Sequence, residues 1–514
     1  MRLLTISKKW LFENKWLVLG TLAVLVINYL YINKIFSFHF VDEEDNFILG
    51  NFLLGGQKLY SDLFSHHQPL GYIISAGYQF LVDPDNIFML IKRHREFMIA
   101  WSVIWCTILI WKFKEKVIIP ILIYEASKFF ILGQLFLSES LAIYPVLYLT
   151  LFLFVKKSSY SNYEYLLAGL FISISALLLA PIWPFLAGYL LFLYWFKKPS
   201  FKQIGYIVIS ALVPILICLP FIDIYYYFHN VFYINFKYYI PQSGEERLPI
   251  SIVKSFFSPI TALLNSSSLQ SSGFILKVSA LFFIISIGYL IRIKNFRLLF
   301  AALTLLTLSN IRYFTPGLEY YSGFHLIIWY GLFLLISFYF FTELIENLKS
   351  KTIKTFLMFI LFFALTVSLY SSKTLFQKND KDHDYYVQYS QMYAFGEAIK
   401  GMKNEGDTLF VVPDAWLLYY QGDIKNNNKM VNFYGWMSLV WELNDLVVEK
   451  FKNNPPTFFY CDCDEKYVYN YAGENYHQMI RDGSKTPLWV LNSKFNSLAE
   501  TQKDKLRFFH FEAQ

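Results

Sequence analysis

The chain has 514 residues, of which 56% are hydrophobic, 20% aromatic and only 16% charged. This composition is too apolar for an ordinary water-soluble protein of such length, so the lipid bilayer is the expected solvent. A net charge of +7 could indicate a polyanionic partner, but the lysines and arginines gather in short clusters between apolar runs. Such clusters are typical of loops that hold membrane helices in place. The sequence therefore predicts an integral membrane protein without a nucleic-acid partner.

Eleven apolar segments approach the length needed to cross the hydrocarbon core. They are residues 16–32, 97–111, 117–134, 137–155, 165–180, 181–196, 204–222, 274–291, 298–311, 324–341 and 355–370. The first segment is too long for a signal-peptide core and lacks a small-residue cleavage site, so we expect a retained anchor. Pro181 and Pro184 separate two neighbouring segments, as expected for a tight turn between helices.

The topology depends on residues 69–82, an apolar segment short enough either to cross the membrane or to lie along its surface. If it lies along the surface, every basic cluster between spans falls on the cytoplasmic side, in agreement with the positive-inside rule. These clusters are residues 112–116, 156–157, 197–202, 292–297 and 349–354. We therefore predict a juxtamembrane helix, with extracytoplasmic loops at about 33–96 and 223–273.

The last quarter of the chain has a different character. Short β-rich runs alternate there with helical stretches, which predicts a small α/β domain. The runs are residues 408–412, 457–460 and 488–491. We predict a transmembrane domain over residues 1–372 and a soluble extracytoplasmic domain over residues 373–514. A high content of Phe, Tyr, Lys, Ile and Asn points to an AT-rich genome, and hence to a bacterial inner (plasma) membrane.

The four cysteines define no disulfide framework. Cys106 and Cys218 lie in apolar runs, and Cys461 and Cys463 are separated by one residue. A bridge between residues two apart is strained, and a metal site needs more ligands than one such pair supplies. We therefore expect four ordinary thiols.

Four consecutive acids, residues 42–45, follow the first apolar segment. A single aspartate at a helix start is often only a cap, but four acids exceed what capping requires. Their mutual repulsion must be relieved by protonation, a cation or basic partners, and each outcome suits chemistry on a hydroxyl group. An ordered string of further residues follows: Gly55, Gly56, Leu59, Tyr60, Asp62, His66, His67, Pro69, Leu70 and Tyr72.

This ordered string resembles the first loop of the C-type glycosyltransferase (GT-C) superfamily, in particular the protein O-mannosyltransferases and the lipid A aminoarabinose transferases. The resemblance implies a polytopic α-helical membrane protein of GT-C-like fold with about eleven transmembrane helices. It also implies a hexosyl- or pentosyltransferase that moves a sugar from a polyprenyl-phosphate donor to a glycan, lipid or protein acceptor. The active site would face outside. Two departures are the absence of a lysine that some relatives carry near Pro181, and the extra acids Glu44 and Asp45.

The resemblance implies that Asp42 is the catalytic base, assisted by Glu43, with inversion at the anomeric carbon. Locally this is sound chemistry, because a carboxylate can take the proton that an attacking acceptor hydroxyl loses. The lipid phosphate leaves as an anion, so cationic donors are needed as well. Candidates for contacts with the substrate or the lipid phosphate are Asp62, His66, His67, Arg93, Arg95, Glu139, Arg312 and His325. No cofactor is certain, and a divalent cation held by Asp42, Glu43 and Glu139 stays open.

Several of these residues have a plainer interpretation. Arg93 and Arg95, at the outer end of the second span, are equally well explained as interfacial arginines that reach toward water. Glu139, at the outer start of a span, would orient the acceptor, bind a cation or only cap its helix. Glu125 and Lys128, three residues apart in the third span, are expected to form a structural ion pair.

Alternatives for the whole chain belong to other classes. A transporter or flippase of a lipid-linked saccharide usually has repeated halves and ionisable residues at mid-membrane, whereas here the acids lie in a loop and no repeat is visible. A catalytically inactive relative is also consistent with one sequence. Aromatic residues at 414–420 and 432–436 in the soluble tail would either contact a sugar acceptor or pack in a core.

Overall fold

The computed structural model describes residues 14–37, 39–155, 160–242, 273–310, 320–371, 389–461 and 473–512. The first ten helices are α1 (Lys15–Ile32), α2 (Val41–Leu54), α3 (Leu70–Val82), α4 (Ile87–Phe113), α5 (Ile118–Ser127), α6 (Ser138–Phe154), α7 (Asn162–Leu178), α8 (Trp183–Lys197), α9 (Phe201–Cys218) and α10 (Ile224–Phe228). A π-helix, His229–Tyr239, and one helical turn, Ile240–Gln242, continue α10.

The remaining helices are α11 (Gly273–Arg292), α12 (Phe296–Leu308), α13 (Ile327–Asn347), α14 (Lys351–Ser371), α15 (Ser390–Met402), α16 (Leu417–Gln421), α17 (Trp441–Asn453), α18 (Asn492–Asn496) and α19 (Glu500–Phe508). Short 3₁₀ segments are Lys114–Val117, Lys128–Ile131, Ala180–Ile182, Leu219–Phe221, Tyr320–Leu326, Gly435–Leu439 and Gly473–Asn475. The strands are β1 (Thr408–Val412), β2 (Lys425–Asn426), β3 (Phe458–Cys461), β4 (Tyr476–Arg481) and β5 (Ser484–Leu491).

Five helical stretches in the described part of the chain are long and apolar enough to cross a membrane. They are Lys15–Ile32, Ile87–Ile131, Phe201–Phe221, Ile275–Arg292 and Gly323–Asn347. Four further apolar helices, α3, α6, α7 and α12, are shorter. Each predicted apolar segment falls on helical structure, and the chain is an integral membrane protein. The number of eleven spans stays a prediction.

Two predicted spans have different boundaries in the structure. The second begins at Ile87 and not near residue 97, because the Asn86 side chain accepts a hydrogen bond from the Met89 N–H (3.1 Å) and caps the helix start. The third, predicted to reach residue 134, ends at Ile131, where Leu132 adopts a left-handed conformation (φ +60°). Hydropathy alone missed both ends, since charged residues occur inside α4 and apolar residues continue beyond Ile131.

The chain divides into two compact units. The first contains Met1–Ile35, Arg95–Ile217 and Glu246–Lys378, and the second contains Phe36–His94, Cys218–Glu245 and Asn379–Gln514. The second unit therefore combines most of the first loop, the beginning of the second loop and the C-terminal part of the chain. The predicted division at residue 372 stays a prediction.

Basic residues gather at one end of the first unit. Lys112, which ends α4, forms an ion pair with Glu164 at the start of α7 (Nζ–Oε1 2.8 Å). Lys116 pairs with Glu346 at the end of α13 (3.0 Å), and Lys197 donates to the Val155 carbonyl oxygen after α6 (2.7 Å). The loops in which these residues lie thus meet at one end of the helices, as the positive-inside argument requires.

A mixed five-stranded sheet forms the C-terminal part of the second unit, in the order β2-β1-β3-β5-β4. Strand β1 is parallel to β2 and β3, whereas β5 is antiparallel to β3 and β4. The three predicted strands are confirmed. The runs Thr-Leu-Phe-Val-Val and Phe-Phe-Tyr-Cys are buried almost throughout, as expected for central strands.

The core of the second unit draws on all three of its chain segments. Phe64 from the first loop and Ile234 from the second pack with Phe410, Phe433 and Phe459 of the C-terminal part. Because these apolar side chains leave water together, the two loops are held in place by the sheet's own core.

One expectation about the cysteines is wrong. Cys461, at the end of β3, is disulfide-bonded, and its partner lies outside the described residues. Cys106 and Cys218 are buried free thiols, as predicted.

Candidate active site

The four acids occupy the first turns of α2 in the second unit. Phe40 has an extended backbone and precedes the helix, so residues 42–44 lie in its first turn, where the free backbone amides favour negative charge. Asp42 is exposed and Asp45 is partly exposed, whereas Glu43 and Glu44 are buried (0% and 1% exposed). The helical period thus separates the acids: Asp42 presents its carboxylate to solvent, and its two successors turn inward.

The buried Glu44 lies against a partly exposed histidine, His39, that was not among the predicted site residues. His39 Nε2 lies 2.7 Å from Glu44 Oε1. Burial raises the pKa of the Glu44 carboxyl above its usual value, although His39 acts in the opposite direction. The only sequence signal for His39 is its place just before the acidic run.

Asp45 is held by a chain of hydrogen bonds that runs through the predicted motif. The His67 N–H donates to Ser65 Oγ (3.1 Å), Ser65 bonds the Tyr72 hydroxyl (2.8 Å), and that hydroxyl donates to Asp45 Oδ2 (3.2 Å). Tyr60 closes the loop by donating to the His67 carbonyl oxygen (2.9 Å). The ordered string of motif residues is therefore a scaffold that fixes the first turn of α2.

Close packing of α2 on α3 supports that scaffold. A Cβ atom at Gly50 would lie 2.9 Å from Ser75 Oγ and 3.0 Å from the Ala76 nitrogen, so only glycine allows this approach. Ser75 also bonds His94 Nε2 (2.9 Å), and Gln79 donates to the Phe47 carbonyl oxygen (2.8 Å). With 13 residues, α3 is about 20 Å long. This is shorter than the roughly 30 Å hydrocarbon core, in line with a juxtamembrane position.

Asp62 and His66 contact different parts of the second unit. Asp62 is exposed, and its Oδ2 accepts the Lys58 N–H (2.9 Å), which closes a turn. His66 is half-buried, and its ring lies 4.8 Å from the Tyr239 ring and 5.6 Å from the Trp436 ring, between centroids. Local sequence gave no indication of these aromatic partners, since they come from distant segments.

The arginines predicted at the outer end of the second span lie about two turns inside α4. Arg93 is partly exposed and belongs to the second unit. Arg95 belongs to the first unit, is 3% exposed and donates to the Ile35 carbonyl oxygen just after α1. The two arginines therefore differ, since Arg95 is engaged with the backbone whereas Arg93 reaches the surface of its unit.

The C-terminal part of the second unit adds two residues that the sequence analysis named only within an aromatic stretch. The Tyr434 hydroxyl accepts a weak hydrogen bond from Trp416 Nε1 (3.4 Å). Burial raises the pKa of Tyr434, and the negative charges of Asp414, Asp42 and Asp45 raise it further. Tyr434 thus remains a neutral phenol. It lies within electrostatic reach of the start of α2, residues 42–45, which we name the acidic turn.

In the first unit, two of the candidate residues, Glu139 and His325, lie close together. Glu139 lies in the first turn of α6 and is buried, and its Oε1 is 3.7 Å from His325 Nδ1. Helices α6 and α13 both begin near this pair and end near the basic clusters. The pair therefore lies at the end of the unit opposite the basic residues. Arg312 lies outside the described residues.

Glu125 and Lys128 form the expected ion pair, at 2.7 Å. Glu125 also accepts hydrogen bonds from Asn28 Nδ2 (2.9 Å) and the Tyr144 hydroxyl (2.7 Å). Lys128 Nζ donates in addition to that hydroxyl (3.2 Å) and to Ser102 Oγ. All five side chains are at most 2% exposed. This closed network fits a structural role, because both charges are enclosed by their partners.

Within the residues that the structure describes, no group of three or more His, Cys, Asp or Glu side chains is arranged to hold a metal ion. A divalent cation at Asp42, Glu43 and Glu139 stays an open prediction.

The overall structure is similar to the crystal structure of ArnT from Cupriavidus metallidurans in the apo state. The match has a TM-score of 0.56 and covers 93% of this chain and 98% of that chain, at 11% sequence identity. No protein-family model and no curated protein sequence matches the chain. At this identity the likeness shows the fold alone, which is similar to that of ArnT.

Proposed function

We propose that the protein is a membrane glycosyltransferase that moves a hexosyl or pentosyl group from a polyprenyl-phosphate donor to an extracytoplasmic acceptor, with Asp42 as the base. The observation that carries this proposal is the exposed carboxylate of Asp42 in the first turn of α2, beside Glu43 and Glu44, which are buried. A base must reach its substrate, and among these three acids Asp42 is the exposed one. The fold shared with ArnT, a lipid A aminoarabinose transferase, supports the same class of reaction.

The reaction is a direct displacement. As the acceptor oxygen forms its bond to the anomeric carbon, the Asp42 carboxylate takes the hydroxyl proton. The bond between the anomeric carbon and the phosphate oxygen breaks on the opposite face, and the polyprenyl phosphate leaves with the electron pair, which inverts the anomeric configuration. Arg93, which is partly exposed, is our candidate for the phosphate contact.

The structure around Asp42 suits a base that must not move. Asp45, one helical turn later, is fixed by Tyr72, and Glu44 is fixed by His39. Glu43, the next residue in the chain after Asp42, is fully buried. The helix is therefore anchored just after the proposed base, which limits the reorganisation needed during transfer.

The test is transfer of radiolabel from a panel of polyprenyl-phosphate sugars in membranes that contain the protein. Asp42→Asn should lower transfer by roughly 100-fold to 10,000-fold, the usual contribution of a general base. Asp85→Asn, the same change at an exposed aspartate after α3, is the matched control and should keep wild-type transfer.

Two results would reject the proposal. One is wild-type protein that consumes no donor of the panel. The other is protein that moves a fluorescent lipid-linked sugar across vesicles equally well with and without Asp42, which would favour a transporter.

A further inference from the structure

We propose that the rings of His66, Tyr239 and Trp436, named here the ring cluster, bind a sugar residue of the acceptor, so that the acceptor is a carbohydrate. This inference rests on the proposed function and specifies its acceptor. The three rings come from the first loop, the π-helix of the second loop and the C-terminal part, and all belong to the second unit.

The ring cluster is compact. Ring centroids are 4.8 Å apart for His66 and Tyr239, 5.1 Å for Tyr239 and Trp436, and 5.6 Å for His66 and Trp436. The His67 ring lies 4.0 Å from His66 and extends the group. All three rings of the cluster are only half-buried. They therefore offer aromatic surface, onto which the C–H face of a sugar ring can pack.

Two amide side chains that are linked to His66, one by the sequence and one by a hydrogen bond, each have a buried polar atom without a partner among the described residues. Gln68 is 2% exposed, and its Oε1 accepts from the Tyr227 hydroxyl (3.0 Å). Asn235 donates from Nδ2 to the His66 carbonyl oxygen (2.8 Å). Among the described residues, neither Gln68 Nε2 nor Asn235 Oδ1 has a hydrogen-bond partner, although both atoms are buried.

Such groups indicate a polar ligand. A buried amide donor or acceptor without a partner costs on the order of 1–3 kcal/mol, so these atoms are rarely left unsatisfied. Sugar hydroxyls both donate and accept, and they surround an apolar ring face. Aromatic rings together with an unpartnered amide N–H two residues after His66, and an unpartnered amide oxygen on the residue that bonds the His66 backbone, match that pattern. A purely apolar ligand would leave both amide groups unsatisfied.

The ring cluster and the acidic turn belong to the same unit, and residues next to the rings interact with the acids. His67, next to His66, begins the hydrogen-bond chain that ends at Asp45. On the other side, Tyr434 lies two residues before Trp436 and within the electrostatic reach of Asp42. A saccharide that packs on the rings is therefore held by the elements that also position the proposed base.

The experiment measures binding of maltotriose, mannotriose and chitotriose to the full-length protein in lipid nanodiscs, by saturation-transfer NMR titration. At least one of the three saccharides should bind. Trp436→Ala should weaken that binding about tenfold or more, equivalent to about 1.4 kcal/mol. Tyr239→Ala should have a similar effect, and it guards against misfolding of the first variant. Trp436→Phe keeps an aromatic face and should stay within about threefold of the wild type.

The matched control is Trp441→Ala, which removes a tryptophan of the same unit that is 63% exposed, and it should leave binding unchanged. The inference is overturned if none of the three saccharides binds, or if Trp436→Ala and Tyr239→Ala bind as tightly as the wild type. A third outcome separates the two proposals. If a saccharide binds and its binding depends on the rings, but the protein consumes no sugar donor, the proposed function is rejected and the inference about the ring cluster stands.

Discussion

Two acidic regions of this protein differ in the way their charges are enclosed. In the first unit, Glu125 is fully buried and its oxygens are bonded to Lys128, Asn28 and Tyr144. In the second unit, Asp42 is exposed on a helix whose neighbouring acids are fixed by other residues. A carboxylate enclosed by a lysine and two further donors has no access to a substrate, whereas an exposed carboxylate on a rigid turn does. Burial and partners, and not residue type, thus distinguish the structural acid from the proposed base.

The largest expected effect is a loss of stability when the buried ion pair of Glu125 and Lys128 is broken. Lys128→Met leaves the Glu125 charge buried without its cation, so the free energy of unfolding should fall by about 3–5 kcal/mol. Thermal unfolding in detergent measures this change. The double variant Glu125→Gln with Lys128→Met should recover most of the loss, because no uncompensated charge remains.

A matched control exists in the same unit. Lys116→Met breaks a pair whose side chains are 28% and 39% exposed, so its cost should be about 0–1 kcal/mol. If Lys128→Met instead abolishes sugar transfer and leaves stability unchanged, the network serves catalysis, and the contrast between the two acidic regions does not hold.

A smaller effect is expected at the scaffold of the acidic turn. Tyr72→Phe removes the hydroxyl that joins Ser65 to Asp45, which should lower stability by about 1–2 kcal/mol. Because Asp45 lies one turn after Asp42, we also expect transfer to fall about threefold to tenfold. Transfer assays on samples of equal folded content separate the two effects. Unchanged transfer would show that Asp45 and its hydrogen bonds do not help to position the base.

The smallest effect is a dependence on pH. Burial raises the folded-state pKa of Glu44 above its usual value near 4.5, so the stability that this group contributes is present at low pH and is lost as pH rises through the folded-state value. Gln at this position does not titrate. The melting temperature of Glu44→Gln minus that of the wild type should therefore increase as pH rises from about 4.5 toward neutrality. A difference that decreases over this range would mean that the ion pair with His39 outweighs burial.

The fold could be predicted to a considerable extent from the sequence. Apolar segment length located helical structure at every predicted span, and β-rich runs located three strands of the sheet. The length of an apolar segment does not locate the ends of a helix, which depend on local caps and backbone conformation. The Asn86 cap lets α4 begin earlier than predicted, and the left-handed conformation of Leu132 ends the helical segment after Lys128. Strand β4 was missed because it lies outside the apolar runs, and β2, with two residues, is too short for any pattern.

The candidate site could be predicted only in its first-loop part. The order of Asp42, Tyr72 and the motif between them is visible in the sequence, since these residues lie within one short segment. His39 was missed because one histidine before an acidic run has no distinctive pattern. Tyr239, Tyr434 and Trp436 could not be assigned partners, because they approach the first loop only when the chain segments share a core.

The sequence by itself determined that the chain enters a membrane, that its basic loops share one end, and that an acidic turn with an ordered motif follows the first helix. These properties depend on local composition and on short-range spacing. Only the tertiary structure decided which acid is exposed, which is paired with a buried cation, and which aromatic rings meet His66. Such properties depend on burial and on contacts between residues distant in sequence, and folding brings those residues together only through a shared apolar core.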